Sequence, residues 1–219
     1  MKIRQLKLFD KITAIVVNDY YDESELSSIM TEIQFLEPKL GDENKTRAAT
    51  EQTSYGERRK KRGRGVFLDD VYTDRRFSSI LTVSRKLFQN DQIRKEINTI
   101  QDQDKDALYW RMWNNLNYDS TLLQCYTNGD YYDYHVDHSI FTSITTLKFT
   151  NAYVGGDLMF RYNGEENLYQ AEHNSTILFP SVVDHRVDEV KHNPDSNKNY
   201  LENNIFKMRW SIAHLISMR

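Results

Sequence analysis

Histidine and aspartate side chains stand close together among aromatic residues in the segment YYDYHVDHS, Tyr131–Ser139. In an extended strand, side chains two positions apart project to the same face, which places His135 beside Asp137 and turns His138 away. An imidazole and a carboxylate on one face can fill two adjacent positions around a metal ion. His185, in TILFPSVVDHRV, is the best candidate for a third ligand, because it follows an apolar strand and a Pro-Ser turn.

Two histidines and one carboxylate on one side of a metal form a facial triad, whose open positions suit non-haem Fe(II) oxygenase chemistry. Zinc accepts the same ligand types and is the other candidate metal. A lone His-x-Asp pair is more often structural than metal-binding, so the interpretation depends on the flanking sequence. We expect the other histidines to be structural or surface residues: His138, His173, His192 and His214. For His138 the alternative is to support a neighbouring loop or to line the substrate channel.

The elements that must position these side chains change character along the chain. LFDKITAIVVND predicts a first strand, and Asp22 with Glu25 forms a capping pattern ahead of a helix that closes at Pro38. Apolar spacing predicts a second helical stretch from about Phe77 to Ile100, with a break at Asn90-Asp91.

The second half of the chain consists of short runs rich in β-branched and aromatic residues, separated by Asn, Gly, Asp and Pro. These predicted strands are LYWRMWNNLNY, STLLQCY, YYDYHVDH, SITTLKFT, GDLMFRY, NSTILFP and KMRWSIAHLI. Many short strands in succession are typical of a sandwich or jelly roll. We therefore predict an α+β, mainly β, fold in a single domain, residues 1–219, with supporting elements over about 1–105 and a β core over about 106–219.

Composition and charge exclude several classes of protein. The sequence is 39% hydrophobic and 28% charged, and its net charge of −3 gives no general attraction for nucleic acid or membranes. No run of residues approaches the length of a membrane span. A single cysteine, Cys125, rules out an internal disulfide and predicts a reducing, cytoplasmic location.

A strongly basic run, RRKKRGRG, lies between the helical and β-rich halves at Arg58–Gly65. Such a run is usually a solvated, mobile loop. The functional alternative is a basic loop that closes over an anionic or acidic partner, including RNA or a ribonucleoprotein.

Four segments, in this order, resemble the Fe(II)/2-oxoglutarate-dependent oxygenases, specifically their prolyl 4-hydroxylase-like branch. The segments are CYTNGDYYDYHVDHS, TTLKFTNAYVGGDLMF, TILFPSVVDHRVDEV and MRWSIAHLI, and the resemblance as a whole extends over roughly residues 66–216. The resemblance implies a double-stranded β-helix, which is a jelly-roll-like core, with N-terminal supporting helices. It implies Fe(II) held by His135, Asp137 and His185, with 2-oxoglutarate and O₂ as cosubstrates and ascorbate as a reductant.

The same resemblance implies hydroxylation of a substrate C–H bond, most often in a prolyl residue of a protein or peptide, with conversion of 2-oxoglutarate to succinate. Arg209 is then the cation that holds the far carboxylate of 2-oxoglutarate, with Ser211 on the same strand face and Tyr126 as a further contact. His185 and Arg209 are 24 positions apart, more than the family usually has, and a polar insert explains the distance. Lys148 is the alternative anchor.

A mobile loop before the core often covers the substrate in this branch, and the segment from about Ser54 to Val71 occupies a similar place. Its basic residues predict an acidic peptide or a nucleic-acid-associated protein as substrate, so nucleic acid enters only indirectly. Two alternatives stay open: the same chemistry on a free amino acid, small metabolite or nucleobase, and a non-catalytic jelly-roll metal-binding module. The predicted substrate-binding residues are Arg58, Arg59, Lys60, Lys61 and Arg62.

Overall fold

The chain begins with an antiparallel hairpin where the sequence predicted one strand. The computed structural model describes residues 1–103, 108–193 and 208–219. The hairpin consists of β1 (Lys2–Phe9) and β2 (Ile12–Asn18). The charged pair Asp10-Lys11 interrupts the apolar residues Leu8-Phe9 and Ile12, and the chain turns back there.

The first helix, α1 (Glu23–Leu36), begins with the capping box that the sequence predicts. Asp22 accepts the backbone N–H of Glu25 at 2.8 Å, and the Glu25 carboxylate accepts the backbone N–H of Asp22 at 2.9 Å. Such a cap contributes about 1 kcal/mol to helix stability. A 3₁₀ turn at Glu37–Lys39 contains Pro38 and ends the helical segment.

The second helical stretch is broken into short helices. The predicted break at Asn90 is confirmed, because its side-chain oxygen accepts the backbone N–H groups of Gln92 and Ile93, both at 3.0 Å. A further break lies at Ser84 and Arg85. The helices are α2 (Leu68–Val71), α3 (Ser79–Val83), α4 (Lys86–Gln89) and α5 (Asp91–Gln103), with a 3₁₀ turn at Arg75–Phe77.

The run LYWRMWNNLNY is helical, so the prediction of a strand there is wrong. It forms α6 (Leu108–Arg111) and a 3₁₀ turn at Trp113–Asn115. Trp110 and Trp113 are three positions apart, which suits one face of a helical turn, and both pack against Phe141 with ring centroids 4.7 and 5.4 Å away. Burial of these aromatic rings overrides the strand preference of the segment.

Strands occupy most of the remaining chain, and every other predicted run contains one. The strands before α2 are β3 (Thr50–Thr53), β4 (Gly56–Arg59), β5 (Lys61–Arg62) and β6 (Arg64–Phe67). Those after α6 are β7 (Tyr118–Tyr126), β8 (Tyr131–His135), β9 (Phe141–Lys148), β10 (Tyr153–Gly155), β11 (Leu158–Tyr162), β12 (Glu165–Tyr169), β13 (Ser175–Pro180), β14 (Asp184–Val187), β15 (Val190–His192) and β16 (Arg209–Ser217).

Antiparallel pairing gathers these strands into two main sheets. The larger has seven strands in the order β1-β2-β13-β9-β16-β7-β6, and the smaller has five in the order β12-β11-β14-β8-β5. Two further pairs, β10-β15 and β3-β4, stand beside them. The greater part of the polar insert after β15, residues 194–207, lies outside the described residues.

The basic run is part of this strand framework, so the prediction of a mobile loop is wrong. β4 pairs with β3, β5 pairs with β8, and β6 pairs with β7. The chain therefore crosses at Gly63 from the smaller sheet to the larger one. The local composition of the run predicts neither the crossing between the sheets nor the strands with which β4, β5 and β6 pair.

Two apolar clusters lie on opposite faces of the larger sheet. One contains Ile29 and Ile33 of α1 with Trp210 and Ile212 of β16, so it joins the helices to the sheet. The other contains Phe160 of the smaller sheet with residues of the larger one, so it lies between the two sheets. This arrangement is the predicted jelly roll with supporting helices. Within the described residues, no helix is both long enough and apolar enough to cross a membrane.

Candidate metal centre

Three side chains that the sequence selected meet between the two sheets. His135 is the last residue of β8, and it lies directly opposite His185 of β14 in the antiparallel register. Asp137 follows β8, and its carboxylate oxygens lie 3.7 Å from His135 Nε2 and 3.5 Å from His185 Nε2. One potential ligand atom from each of the three residues lies within 4.8 Å of the other two. Among the described residues, no other group has this geometry.

The position of Asp137 has a different cause from the one that strand alternation suggested. β8 ends at His135, so Asp137 belongs to the turn that follows, where its backbone N–H donates to Ser181 O at 3.3 Å. For the same reason, the prediction that His138 faces away is wrong: His138 lines the same cavity as the three ligands. Alternation of side chains holds only while the strand remains extended.

Backbone carbonyl groups orient both imidazoles. His135 Nδ1 lies 2.9 Å from Asp133 O, and His185 Nδ1 lies 2.9 Å from Val183 O. A carbonyl oxygen can only accept, so each Nδ1 carries a proton and donates it, and each Nε2 is the ring nitrogen directed toward Asp137 and available to a metal. Burial and the neighbouring His185 lower the pKa of His135, which favours the neutral imidazole that binds metals.

A hydroxyl relay holds the carboxylate, and the sequence reasoning did not find it. Thr142 Oγ1 donates to Asp137 Oδ2 at 2.6 Å and lies 2.8 Å from Ser181 Oγ, which in turn lies 2.7 Å from Ser139 Oγ. The even-numbered positions of β9 face the space between the sheets, which is the only sequence signal for Thr142. Such partners fix the direction in which a ligand points.

Aromatic rings pack around the imidazoles. Tyr132 stacks on His135 with ring centroids 3.5 Å apart, and Phe179 meets His185 edge to face at 4.9 Å. The two ligands are therefore held by packing as well as by hydrogen bonds. Two imidazoles and one carboxylate, convergent on one point and open on the cavity side, fit a divalent metal of the facial-triad type.

The three ligands open into a cavity of about 250 Å³ between the sheets. Its wall combines polar and apolar side chains, and Tyr126 and Ser211 are among them, as the proposed cosubstrate contacts require. The other lining residues are Thr46, Arg47, Ala49, Lys61, Phe67, Ser120, Leu122, Gln124, Tyr132, Val136, His138, Thr142, Ile144, Val187, Ala213 and Leu215.

Tyr126 stands between the cavity and a buried cation. Its hydroxyl donates to the side-chain oxygen of Gln124, and burial raises the pKa of the phenol, which is therefore neutral. Arg209 pairs with Tyr126 across β16 and β7, and its guanidinium carbon lies 5.2 Å from the centre of the Tyr126 ring. Arg209 itself does not line the cavity in this structure.

Arg209 is completely buried, and none of its three side-chain nitrogens has a hydrogen-bond partner within the described residues. A Cβ atom at Gly156, where φ is +69°, would come within 2.4 Å of Arg209 Cδ, so the glycine leaves room for this side chain. A buried guanidinium without partners is costly unless an anion completes it. The site thus fits a ligand carboxylate.

Lys148, the alternative anchor, is already paired. Its ammonium lies 3.3 Å from Asp157 Oδ1. Lys148 and Arg209 lie directly opposite each other on β9 and β16, so the two candidate anchors are at the same end of the sheet. The Arg209 guanidinium has no hydrogen-bond partner among the described residues and the Lys148 ammonium has one, so Arg209 stays the first candidate for a ligand anion and Lys148 the alternative.

All five basic residues proposed to bind substrate make contacts within the chain, and for Lys61 the contact is a hydrogen bond to Thr46. Lys60 Nζ donates to Tyr134 O at 2.7 Å, and Arg62 pairs with Asp130 at 3.5 Å. Arg58 pairs with Glu51 and with Asp133, and Arg59 donates to Ala48 O at 3.0 Å. Lys61 alone among the five lines the cavity.

The remaining histidines stand apart from the ligand cluster. His173 Nδ1 accepts the backbone N–H of Lys148 at 3.1 Å, and the backbone N–H of His192 donates to Asn128 at 2.8 Å. His214 is buried, with Nδ1 3.1 Å from Thr121 Oγ1. These contacts agree with the structural roles expected from the sequence.

Solved structures with the same fold are oxygenases. No protein-family model matches the sequence, and none of the curated proteins matches it significantly. A prolyl-4-hydroxylase from Pseudomonas putida superimposes with a TM-score of 0.57 at 13% identity, covering 94% of this chain and 92% of the other. A prolyl hydroxylase from Trichoplax adhaerens, solved with a peptide fragment of hypoxia inducible factor, gives 0.56 at 11% identity over 93% and 83%.

A third similar structure is an oxidoreductase of the 2OG-Fe(II) oxygenase family from Burkholderia pseudomallei. It gives a TM-score of 0.50 at 14% identity and covers 93% of this chain and 84% of the other. The chain therefore has the fold of the 2OG-Fe(II) oxygenases, which confirms the predicted mainly β jelly roll with helical support. At these identities the likeness concerns the fold, and the chemistry has to be argued from the site.

Proposed function

We propose that the chain is an Fe(II)/2-oxoglutarate-dependent dioxygenase that hydroxylates a C–H bond of its substrate. The observation that carries this proposal is the convergence of His135, Asp137 and His185 at the wall of a cavity between the two sheets. Two imidazoles and one carboxylate leave coordination positions open, as Fe(II) oxygenase chemistry needs. Bound Fe(II), with 2-oxoglutarate and O₂, would supply the oxidation and release succinate and CO₂.

The chain's own residues would orient the reactants and keep water away. Thr142 holds the Asp137 carboxylate, and the carbonyl groups of Asp133 and Val183 hold the two imidazoles. Arg209 would bind the far carboxylate of 2-oxoglutarate, and Ser211 would add a hydroxyl donor. Because Tyr126 separates Arg209 from the cavity, we expect one of these two side chains to change rotamer when the cosubstrate binds.

A prolyl residue in a peptide is the first substrate to test. Two of the similar folds are prolyl hydroxylases, and one of them was solved with a peptide. The cavity of about 250 Å³ is below the range typical of sites that enclose drug-sized ligands, so it suits a small group beside the cosubstrate. Ascorbate as a reductant and a cytoplasmic location remain predictions.

Anaerobic addition of Fe(II) and 2-oxoglutarate tests the proposal. We expect a weak visible charge-transfer band in the parent protein and none in His185→Ala, because this substitution removes a metal ligand. His173→Ala is the matched control, since His173 lies outside the cluster and the band should persist. Absence of the band from the parent protein would instead favour a non-catalytic jelly-roll module.

Mass spectrometry then separates the substrate classes. Incubation with O₂ and proline-containing peptides should give products about 16 Da heavier only with the parent protein, because hydroxylation of a C–H bond adds one oxygen atom to the substrate. Free amino acids, other small metabolites and nucleobases form the comparison panel. Turnover of a panel member without turnover of any peptide would retain the oxygenase and exclude the peptidyl substrate.

A further inference from the structure

Lys61 is a buried cation on the cavity wall that lacks an acidic partner. The residue is 3% exposed, and its ammonium donates to Thr46 Oγ1 at 3.2 Å. The rings of Tyr126 and Tyr132 lie 5.8 Å away on two sides. An ammonium has three donors, and no carboxylate of the described residues forms an ion pair with it. Lys61 is therefore only partly satisfied.

The position of Lys61 follows from the strand framework. β5 pairs with β8 so that Lys61 lies opposite Tyr132, the residue that stacks on the metal ligand His135. Its neighbours Lys60 and Arg62 are turned outward, where they meet a carbonyl and a carboxylate. The fold thus directs one cation of the basic run inward, to the cavity that contains the ligand cluster.

Burial of this cation is opposed by its surroundings. Loss of solvent lowers the pKa of the Lys61 ammonium to about 7, although the more distant acids Glu43 and Asp130 favour the charged form. A buried charge that lacks a counter-ion is costly, and replacement by an apolar residue of similar size is often neutral or stabilising. An anion that enters the cavity would complete this site.

The charged side chains that line the cavity show which cation there has no counter-ion. Among the described lining residues the acidic side chain is Asp137, which belongs to the metal ligands. The cationic lining residues are Lys61 and Arg47, and Arg47 is paired with Asp70 at 3.2 Å. In the proposed function, one carboxylate of 2-oxoglutarate goes to the metal and the other to Arg209. Lys61 is left over.

We propose that Lys61 binds a carboxylate of the primary substrate inside the cavity, and that this substrate is a small carboxylic acid such as a free amino acid. This inference rests on the proposed function, because it assigns both carboxylates of 2-oxoglutarate to other groups. It selects a member of the comparison panel over the prolyl peptide as the substrate, since an internal residue of a peptide offers no carboxylate of its own backbone at that depth.

The first test needs no iron. Acetate and acetamide, which differ in charge and hardly in shape, are titrated into the metal-free protein while thermal unfolding is measured at constant ionic strength. Acetate should raise the unfolding temperature of the parent protein by mass action, and acetamide should not. In Lys61→Met the apparent affinity for acetate should fall about 10- to 100-fold, as expected for a charge-assisted hydrogen bond.

The unfolding temperature without ligand distinguishes binding from a structural role. Lys61→Met should keep or raise it, since an uncompensated buried charge is replaced by an apolar chain of similar length. Lys60→Met is the matched control, because Lys60 points away from the cavity and its loss should leave the acetate effect in place. A marked fall in stability for Lys61→Met, or an equal acetate effect in that variant, would overturn the proposal.

The second test determines whether the carboxylate that Lys61 binds belongs to 2-oxoglutarate or to the primary substrate. The Fe(II)-loaded protein is titrated with 2-oxoglutarate, and the charge-transfer band is followed in the parent, Lys61→Met and Arg209→Met proteins. The loss of 2-oxoglutarate affinity should be larger in Arg209→Met than in Lys61→Met. The reverse order would make Lys61 the cosubstrate anchor and overturn the proposal. No band in the parent would defeat the proposed function, while the acetate experiment would still report on Lys61.

The substrate screen completes the assignment. Amino acids and short-chain carboxylic acids are each offered together with the corresponding amide, and the formation of hydroxylated product is measured. We expect product from an acid, little from its amide, and a loss of that preference in Lys61→Met. Hydroxylation of an internal peptide residue, with equal rates for acid and amide ends, would contradict the assignment.

Discussion

The two faces of the seven-stranded sheet carry different kinds of side chain, and β16 shows the contrast residue by residue. Trp210, Ile212 and Ile216 join the apolar cluster under the helices. Arg209 and Ser211 alternate with them and project toward the space between the sheets. One strand therefore serves stability on one face and ligand binding on the other.

The two faces also differ in how their side chains contribute to the stability of the fold. The helix side gains from close packing of large apolar side chains, each worth about 1.5–3 kcal/mol when fully buried. The side between the sheets includes a guanidinium whose three nitrogens have no hydrogen-bond partner among the described residues and an ammonium with a single hydrogen bond there. Partly satisfied cations are unfavourable without ligand, and they mark the surface where an anion is to bind.

Truncation on the helix side should have the largest effect. Trp210→Ala removes a completely buried indole, and we expect the free energy of unfolding to fall by about 3–5 kcal/mol. Chemical denaturation measures the loss. The affinity of the folded protein for 2-oxoglutarate, measured below the transition, should hold. A loss of affinity with little loss of stability would break the separation of the two faces.

Truncation of the adjacent residue should do the opposite. Arg209→Met removes a buried cation that has no hydrogen-bond partner among the described residues, so we expect stability to hold or rise while the affinity for 2-oxoglutarate falls about 100-fold. Titration of the Fe(II)-loaded protein measures the affinity. Arg209→Lys should recover only part of it, because an ammonium lacks the paired donors of a guanidinium. If Lys148→Met had the larger effect, the anchor would be Lys148.

Local patterns predicted the ligands but not all of their geometry. His135, Asp137 and His185 followed from residue type and position, and the structure brings them together. His138 was misplaced because the sequence does not show that β8 ends at His135, beyond which alternation fails. The role of Thr142 was not predicted, because threonine is common in strands and its contact is with Asp137 in the preceding turn.

Long-range contacts were the other limit of prediction. The basic run has the composition of a loop, yet Arg58 pairs with Asp133 and Arg62 with Asp130, residues that are far away in the sequence. These pairs, and the pairing of β5 with β8, decide that Lys61 faces the cavity. Sequence reasoning grouped all five basic residues together, because only the tertiary fold separates the inward one.

A buried histidine on the helix side makes stability depend on pH. Burial lowers the pKa of His214 to about 4 from an ordinary 6.5, with Asp119 opposing the shift and Arg75 adding to it. The unfolded chain binds a proton below pH 6.5 that the folded chain refuses, so stability is full above that pH and declines as pH falls toward 4. Between pH 7 and 5 we expect a loss of about 2 kcal/mol from this residue.

Comparison with His214→Asn isolates that contribution. The free energy of unfolding is measured at several pH values in both proteins, and the parent should lose more stability on acidification than the variant. His135 titrates in both, so its effect cancels in the difference. Parallel curves between pH 7 and 5 would show that the folded protein accepts the proton at His214.

The smallest effects should come from one methyl-for-hydroxyl exchange made on each face of β9. Thr142→Val removes the donor to Asp137, and we expect the affinity for Fe(II) to fall about tenfold, as for other partners of metal ligands. Thr145→Val is the matched control on the helix side, where its hydroxyl bonds Thr176 at 2.6 Å. It should cost about 1 kcal/mol of stability and leave metal affinity in place. Titration with Co(II) as a spectroscopic substitute for Fe(II) measures the metal affinity of both variants. Equal metal affinities in the two variants would mean that the Asp137 carboxylate is positioned by its turn alone.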